Sequence, residues 1–199
     1  CNSLTPKPTP VPTVTPVPTP RPTPQPTATP FAPNSTCVSY ISSCTNCSCV
    51  ALMEALDKQI LKGEQAMYAR DFKLAVTNFT KAIEMYHQSD YSSLSKEDRD
   101  EYTYYVGHAY SKRGASYWEL RKYQDAIVSH TKALEHSPGF KRSWDYTGRG
   151  KAYYALKEYQ KALDDFNKAI ELDPYYATKT TPFYDIRAFI TGAKNALNK

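Results

Sequence analysis

Residues 146–174 read YTGRGKAYYALKEYQKALDDFNKAIELDP, and residues 110–138 read YSKRGASYWELRKYQDAIVSHTKALEHSP. Overlaid, they share Gly114/Gly150, Tyr117/Tyr153, Leu120/Leu156, Tyr123/Tyr159, Ala126/Ala162, Ala133/Ala169 and Pro138/Pro174, a constant offset of 36 residues. The matched positions recur every three or four residues on either side of a break near Lys122 and Lys157, the spacing of two amphipathic helices joined by a turn. The repeated unit is a helix hairpin. One hairpin cannot bury both of its faces, so units must stack and the end of the stack needs a cover.

A weaker copy lies upstream, where Gly63, Ala66, Phe72, Ala75, Phe79 and Ala82 keep the register and His87 stands in place of the proline. The pattern resembles the tetratricopeptide repeat. Its places are held by Tyr146, Gly150, Tyr153, Tyr159, Ala162, Phe166, Ala169 and Pro174, and before them by Tyr110, Gly114, Tyr117, Tyr123, Ala126, His130, Ala133 and Pro138. Gly and Ala let helix backbones approach, aromatic rings fill the wider gaps, and proline ends the second helix. The resemblance implies an all-α array, an α-solenoid of about three units over 56–89, 107–140 and 143–176, closed by a capping helix over about 182–197.

Ahead of this domain, 50–199, the composition changes. Twelve of the fifteen prolines precede Asn34, in a Thr-Pro run that removes amide donors and fixes φ. The linker, 1–36, is predicted to be disordered and extended in polyproline II, at ~3.1 Å per residue on the order of 90 Å long. It reads as a spacer; the rival readings are a proline-rich ligand and an O-glycosylated stalk. With Cys1-Asn-Ser at its head, the segment resembles a mature bacterial lipoprotein. That implies a lipid on Cys1 and a place in the cell envelope, facing periplasm or exterior. Cys37, Cys44, Cys47 and Cys49 form a staple over 37–49, read as two disulfides with all three pairings open. The rival is a four-thiolate zinc or iron–sulfur site, but C-x6-C-x2-C-x-C matches no metal motif.

Helical spacing runs from Val50 to Ala69 and from Asp71 to about His87. The first and second units are offset by 51 residues (Gly63 to Gly114), so residues are inserted between them. Ser95 before Lys-Glu-Asp has the form of an N-cap, extending the next helix back to about Lys96 and on to Leu120. Near the end, Thr181 caps a helix with Pro182 in its first turn, and Phe183, Ile186, Ile190, Ala193 and Leu197 make its apolar stripe.

The net charge of +5 is spread among interspersed acidic and basic residues, a solvated surface rather than a nucleic-acid footprint. His87, His108, His130 and His136 form no i, i+4 pair, and no nucleophile elbow, phosphate loop or dinucleotide fingerprint occurs. No catalytic residue, cofactor or metal is assigned, and an enzyme is not expected. Asn34, Asn46 and Asn78 open N-glycosylation patterns.

By resemblance, the first helix of each unit lines a groove, through Asp57, Ile60, Glu64, Met67 and Tyr68; His108, Ser111, Ala115, Trp118 and Glu119; and Trp144, Thr147, Lys151, Tyr154 and Ala155. Tyr68, His108, Trp118, Trp144, Lys151 and Tyr154 are the candidate partner-binding residues, aromatic area beside charge. Ile60 and Glu64 stand where carboxylate-clamping relatives carry Lys and Asn, so that clamp is absent. The expected function is a membrane-anchored module that binds a protein or peptide. The alternative is a structural part of an envelope or secretion assembly that uses no peptide groove.

Overall fold

The computed structural model describes residues 47–89, 94–136, 142–174 and 186–198, with side chains from Met53 onward. Within them the chain forms α1 (Cys47–Tyr68), α2 (Phe72–Gln88), α3 (Lys96–Glu119), α4 (Tyr123–His136), α5 (Ser143–Ala155), α6 (Tyr159–Leu172) and α7 (Arg187–Leu197). The hairpins α1/α2, α3/α4 and α5/α6 follow one another, each packed on the next, and α7 lies on α6 and α5.

Each hairpin turns by the same device. Arg70, Arg121 and Lys157 have φ of 60°, 59° and 64°, in the left-handed region. The Arg121 amide donates to the Trp118 carbonyl and the Lys122 amide to the Tyr117 carbonyl, both at 2.9 Å, and the same pair of bonds recurs at Arg70/Asp71 and Lys157/Glu158. This is a Schellman turn without its usual glycine. The Asp71 carboxylate also accepts from the Leu74 amide at 3.0 Å and caps α2.

Within each hairpin a glycine meets a ring. A Cβ on Gly63 would sit 2.6 Å from the Phe79 ring, one on Gly114 2.8 Å from His130, and one on Gly150 2.8 Å from Phe166. Arginines then tie unit to unit. Arg149 forks onto Asp165 through two bonds of 2.8 Å and donates to Thr131 Oγ1 of the preceding unit at 3.2 Å. One unit earlier, Arg113 donates to Ser129 at 3.2 Å and to Thr80 at 3.3 Å.

The insertion lengthens α3 as expected. Ser95 Oγ accepts from the Asp98 amide at 3.1 Å and satisfies one of the first-turn donors. The added turns bury Tyr102 and Val106 against Leu56, Ile60 and Phe79 in the core that joins α1, α2 and α3. At the other end Ile186 is fully buried with Ala162 and Phe166, and Phe189 meets Tyr154 edge-on at 5.2 Å. The covering helix is thus in place from Arg187; the expected cap at Thr181 and the start of the apolar stripe at Phe183 lie outside the described residues. So do Cys1, the Thr-Pro run, Cys37, Cys44 and the side chains of Cys47 and Cys49, although α1 already begins at Cys47. Asn78, the third glycosylation pattern, is buried, and its carbonyl oxygen accepts from Gln59 at 2.9 Å. Among the described residues no helix is long and apolar enough to cross a membrane.

Candidate functional site: a groove across three units

The first helices of the three units border a groove of about 450 Å³. Its aromatic walls are Tyr68 from α1, Trp118 from α3 and Trp144 from α5. Tyr68 is 80% exposed and Trp144 43%, a large apolar area left in water. Trp118 is held from behind, 5.1 Å from the Tyr123 ring and against the small core of Ala126, Ile127 and Ala152. Such rings bring rigid contact area at little entropic cost.

Charge is arranged at both ends. On the α1 side His108 and Lys112 approach the Glu64 carboxylate to 3.0 and 3.5 Å. The hydrogen bond with His108, aided by Lys112, holds the Glu64 carboxyl below its ordinary range against the effect of burial. Tyr104 stacks on His108, and the Arg142 guanidinium lies 5.7 Å over the Tyr104 ring. On the α5 side burial lowers the Lys151 pKa, partly offset by Glu119, and its ammonium lies 5.7 Å over the Phe189 ring.

The floor is polar. His130 Nδ1 and Asp145 Oδ1 are 2.9 Å apart, with both side chains 1% exposed, and Arg142 reaches the other carboxylate oxygen at 3.3 Å. His130, Thr147 and Gly148 line the groove beneath the two tryptophans.

Of the six candidate partner-binding residues, Tyr68, Trp118, Trp144 and Lys151 share this groove, with Glu64, Met67, Ala115, Glu119 and Thr147 from the same register positions. His108 stands beside it, bound to Glu64. Tyr154 turns away: its ring packs between Tyr159 and Phe189, under the covering helix. Ile60 is in the core and Ser111 is buried. His130 fills the aromatic packing place its register gave it, but its partner Asp145 was not foreseen, because the pair crosses a unit boundary. Among the described residues no group of three metal-ligating side chains converges.

Residues 144–176 match the sequence profile of the tetratricopeptide repeat. No curated protein matches the chain. The fold is similar to the TPR domain of Arabidopsis OM64, with a TM-score of 0.55 and 24% identity over 72% of this chain and 98% of that one. It is also similar to the first TPR of Spaghetti (RPAP3) bound to the HSP90 peptide SRMEEVD, with a TM-score of 0.54 and 19% identity over 72% and 94% of the two chains. The TPR2B domain of yeast Sti1, in a complex with pHsp70, gives 0.53 and 22% over 70% and 96%. The helices described here therefore have the fold of a tetratricopeptide repeat domain, and residues 144–176 carry that repeat in their sequence as well.

Proposed function

We propose that the array is a protein-interaction module whose groove takes an extended peptide segment of a partner protein. The observation that carries the reading is the aromatic wall of the exposed Tyr68 and Trp144 and the half-buried Trp118, bordering one groove across all three units. Rigid rings flanked by charged pairs provide affinity and register. The similar folds bound to an HSP90 peptide and in a complex with pHsp70 lend the reading support. The carboxylate clamp is not the means here, because Ile60 is in the core and Glu64 is already engaged by His108. The proposal extends to a lipid on Cys1, with the Thr-Pro run as spacer and the module facing the periplasm or the cell exterior.

Two measurements test it. Peptides selected from a displayed random library on the full chain are titrated against the chain and against its W118A/W144A variant. The variant, folded by circular dichroism, is expected to bind at least tenfold more weakly, since truncated hot-spot aromatics each cost on the order of 1–2 kcal/mol or more. Unchanged binding would refute the groove and favour an assembly role through other faces. An intact mass of the protein from its native membrane fraction is expected to show acyl chains on the Cys1 peptide; an unmodified cysteine there refutes the anchor.

A further inference from the structure

Departures from the repeat gather at the boundary between the second and third units. Unit by unit, His130 corresponds to Phe79 and Phe166, Asp145 to Lys58 and Ala109, and Gly148 to Leu61 and Lys112. These three departures meet in space. Asp145 holds His130 Nδ1 at 2.9 Å, and a Cβ on Gly148 would sit 2.4 Å from His130 Nε2. The carboxylate accepts the Nδ1 proton, so in the neutral ring Nε2 is a bare acceptor. A side chain at Gly148 or Gly114 would collide with the ring, so the two glycines let His130 lie between them and line the groove beside Thr147 and Gly148.

Beside Gly148 stands a hydroxyl without the bond that helical hydroxyls commonly make. Thr77, Ser89, Thr103 and Ser116 each donate to the carbonyl four residues earlier. Thr147 does not. It is 3% exposed, its Oγ1 has no partner, and it lines the groove. A buried hydroxyl left unpaired costs free energy unless something else satisfies it. Because Thr147 lines the groove, a ligand held there is placed to satisfy it.

We propose that this polar floor, Thr147 with the His130–Asp145 pair, recognises the primary amide of an Asn or Gln side chain on the bound peptide. The inference rests on the peptide-groove reading above. A bare imidazole nitrogen beside a hydroxyl asks for a group that donates and accepts on one side. A primary amide does so: its NH₂ donates to His130 Nε2 and its C=O accepts from the Thr147 hydroxyl. A backbone peptide presents its N–H and C=O in opposite directions, and a carboxylate sets acceptor against acceptor at Nε2.

The test uses the full chain and a displayed library of random linear peptides, with the best binder resynthesised. Selected peptides are expected to share an Asn or Gln at fixed spacing from a bulky apolar residue. Replacing that amide by Asp or Leu should weaken binding roughly ten- to a hundredfold, as for one buried polar group left unpaired. Against T147V and against H130F/D145A the same replacement should change little, because the reading groups are gone. T147V removes a hydroxyl that has no partner, so its fold is expected to stand even if the double variant's does not. Peptides that need Trp118 and Trp144 but tolerate loss of the amide, or bind T147V equally well, overturn the polar floor and leave the groove standing. Peptides indifferent to W118A/W144A, or no enrichment at all, overturn both.

Discussion

The hairpin turns supply the sharpest test of the fold. Arg70, Arg121 and Lys157 hold left-handed φ angles that cost an L-residue about 1–2 kcal/mol and glycine almost nothing. Glycine loses more chain entropy on folding, about 0.5–1 kcal/mol. The difference predicts that R121G and K157G each stabilise the protein by about 0.5–1 kcal/mol, with little packing lost because both side chains are exposed. The turns belong to different units, so the double variant should gain about 1–2 kcal/mol if the two sites are independent. For a domain of this size that is a rise in Tm of roughly 2–8 °C. Urea titration followed by circular dichroism, with an unchanged m-value, is the assay. A loss of stability in either single variant would refute the Schellman geometry at that turn, since in any right-handed conformation glycine costs rather than gains.

The crossing in the third unit is equally exposed to test: G150A places a Cβ 2.8 Å from Phe166 and 3.2 Å from Asp165 Cβ, and should cost about 1–3 kcal/mol in the same titration. At the inter-unit tie, D165A leaves the half-buried Arg149 without its forked partner; a loss of about 3 kcal/mol is expected, nearer the full buried-pair value than that of a surface pair. Mild acid should act through His136, whose pKa is lowered from 6.5 by burial and then by His87 and Lys132. A depressed pKa means stability that is present above the ordinary value and lost as pH falls through the folded one, so wild type should weaken below about pH 6.5 more than H136F, which keeps a ring on Tyr110. Parallel pH–stability curves for the two would refute that assignment.

How much of this was legible in the sequence depended on whether a feature is local and repeated. Ser95 announced the start of α3 because a cap is written within four residues, and the helix runs Lys96–Glu119 against the expected Lys96 to Leu120. Trp118 and Trp144 reached the groove by register alone, since a repeat fixes which face a position takes. The turn chemistry was hidden, because a left-handed residue is usually recognised by glycine, and Arg, Arg and Lys conceal it. The arginine ties could have been found: Arg113/Arg149, Thr80/Thr131 and Ser129/Asp165 each recur at the unit offset. Tyr154 shows the opposite limit. Register assigned it to the groove, yet its surroundings are set by α7, which no repeat describes.

The His130–Asp145 pair is where a departure from the repeat should reveal its reason. Burying a carboxylate with its polar partner generally gains nothing over apolar residues of similar volume, and replacing such a group often stabilises by about 1–4 kcal/mol. The array offers its own replacement, because units one and three have Phe at the place of His130 and unit two has Ala at that of Asp145. H130F/D145A therefore puts the array's own residues at both places, while taking from Arg142 the carboxylate it reaches at 3.3 Å, and is expected to lose no more than about 1–2 kcal/mol. D145A alone leaves His130 with its Nδ1–H unpaired and should be less stable than the double variant. If instead the double variant loses several kcal/mol, the pair is a structural tie between the second and third units. If it keeps its stability while amide recognition in the groove disappears, the pair stands there for the ligand, in a fold that has no need of it.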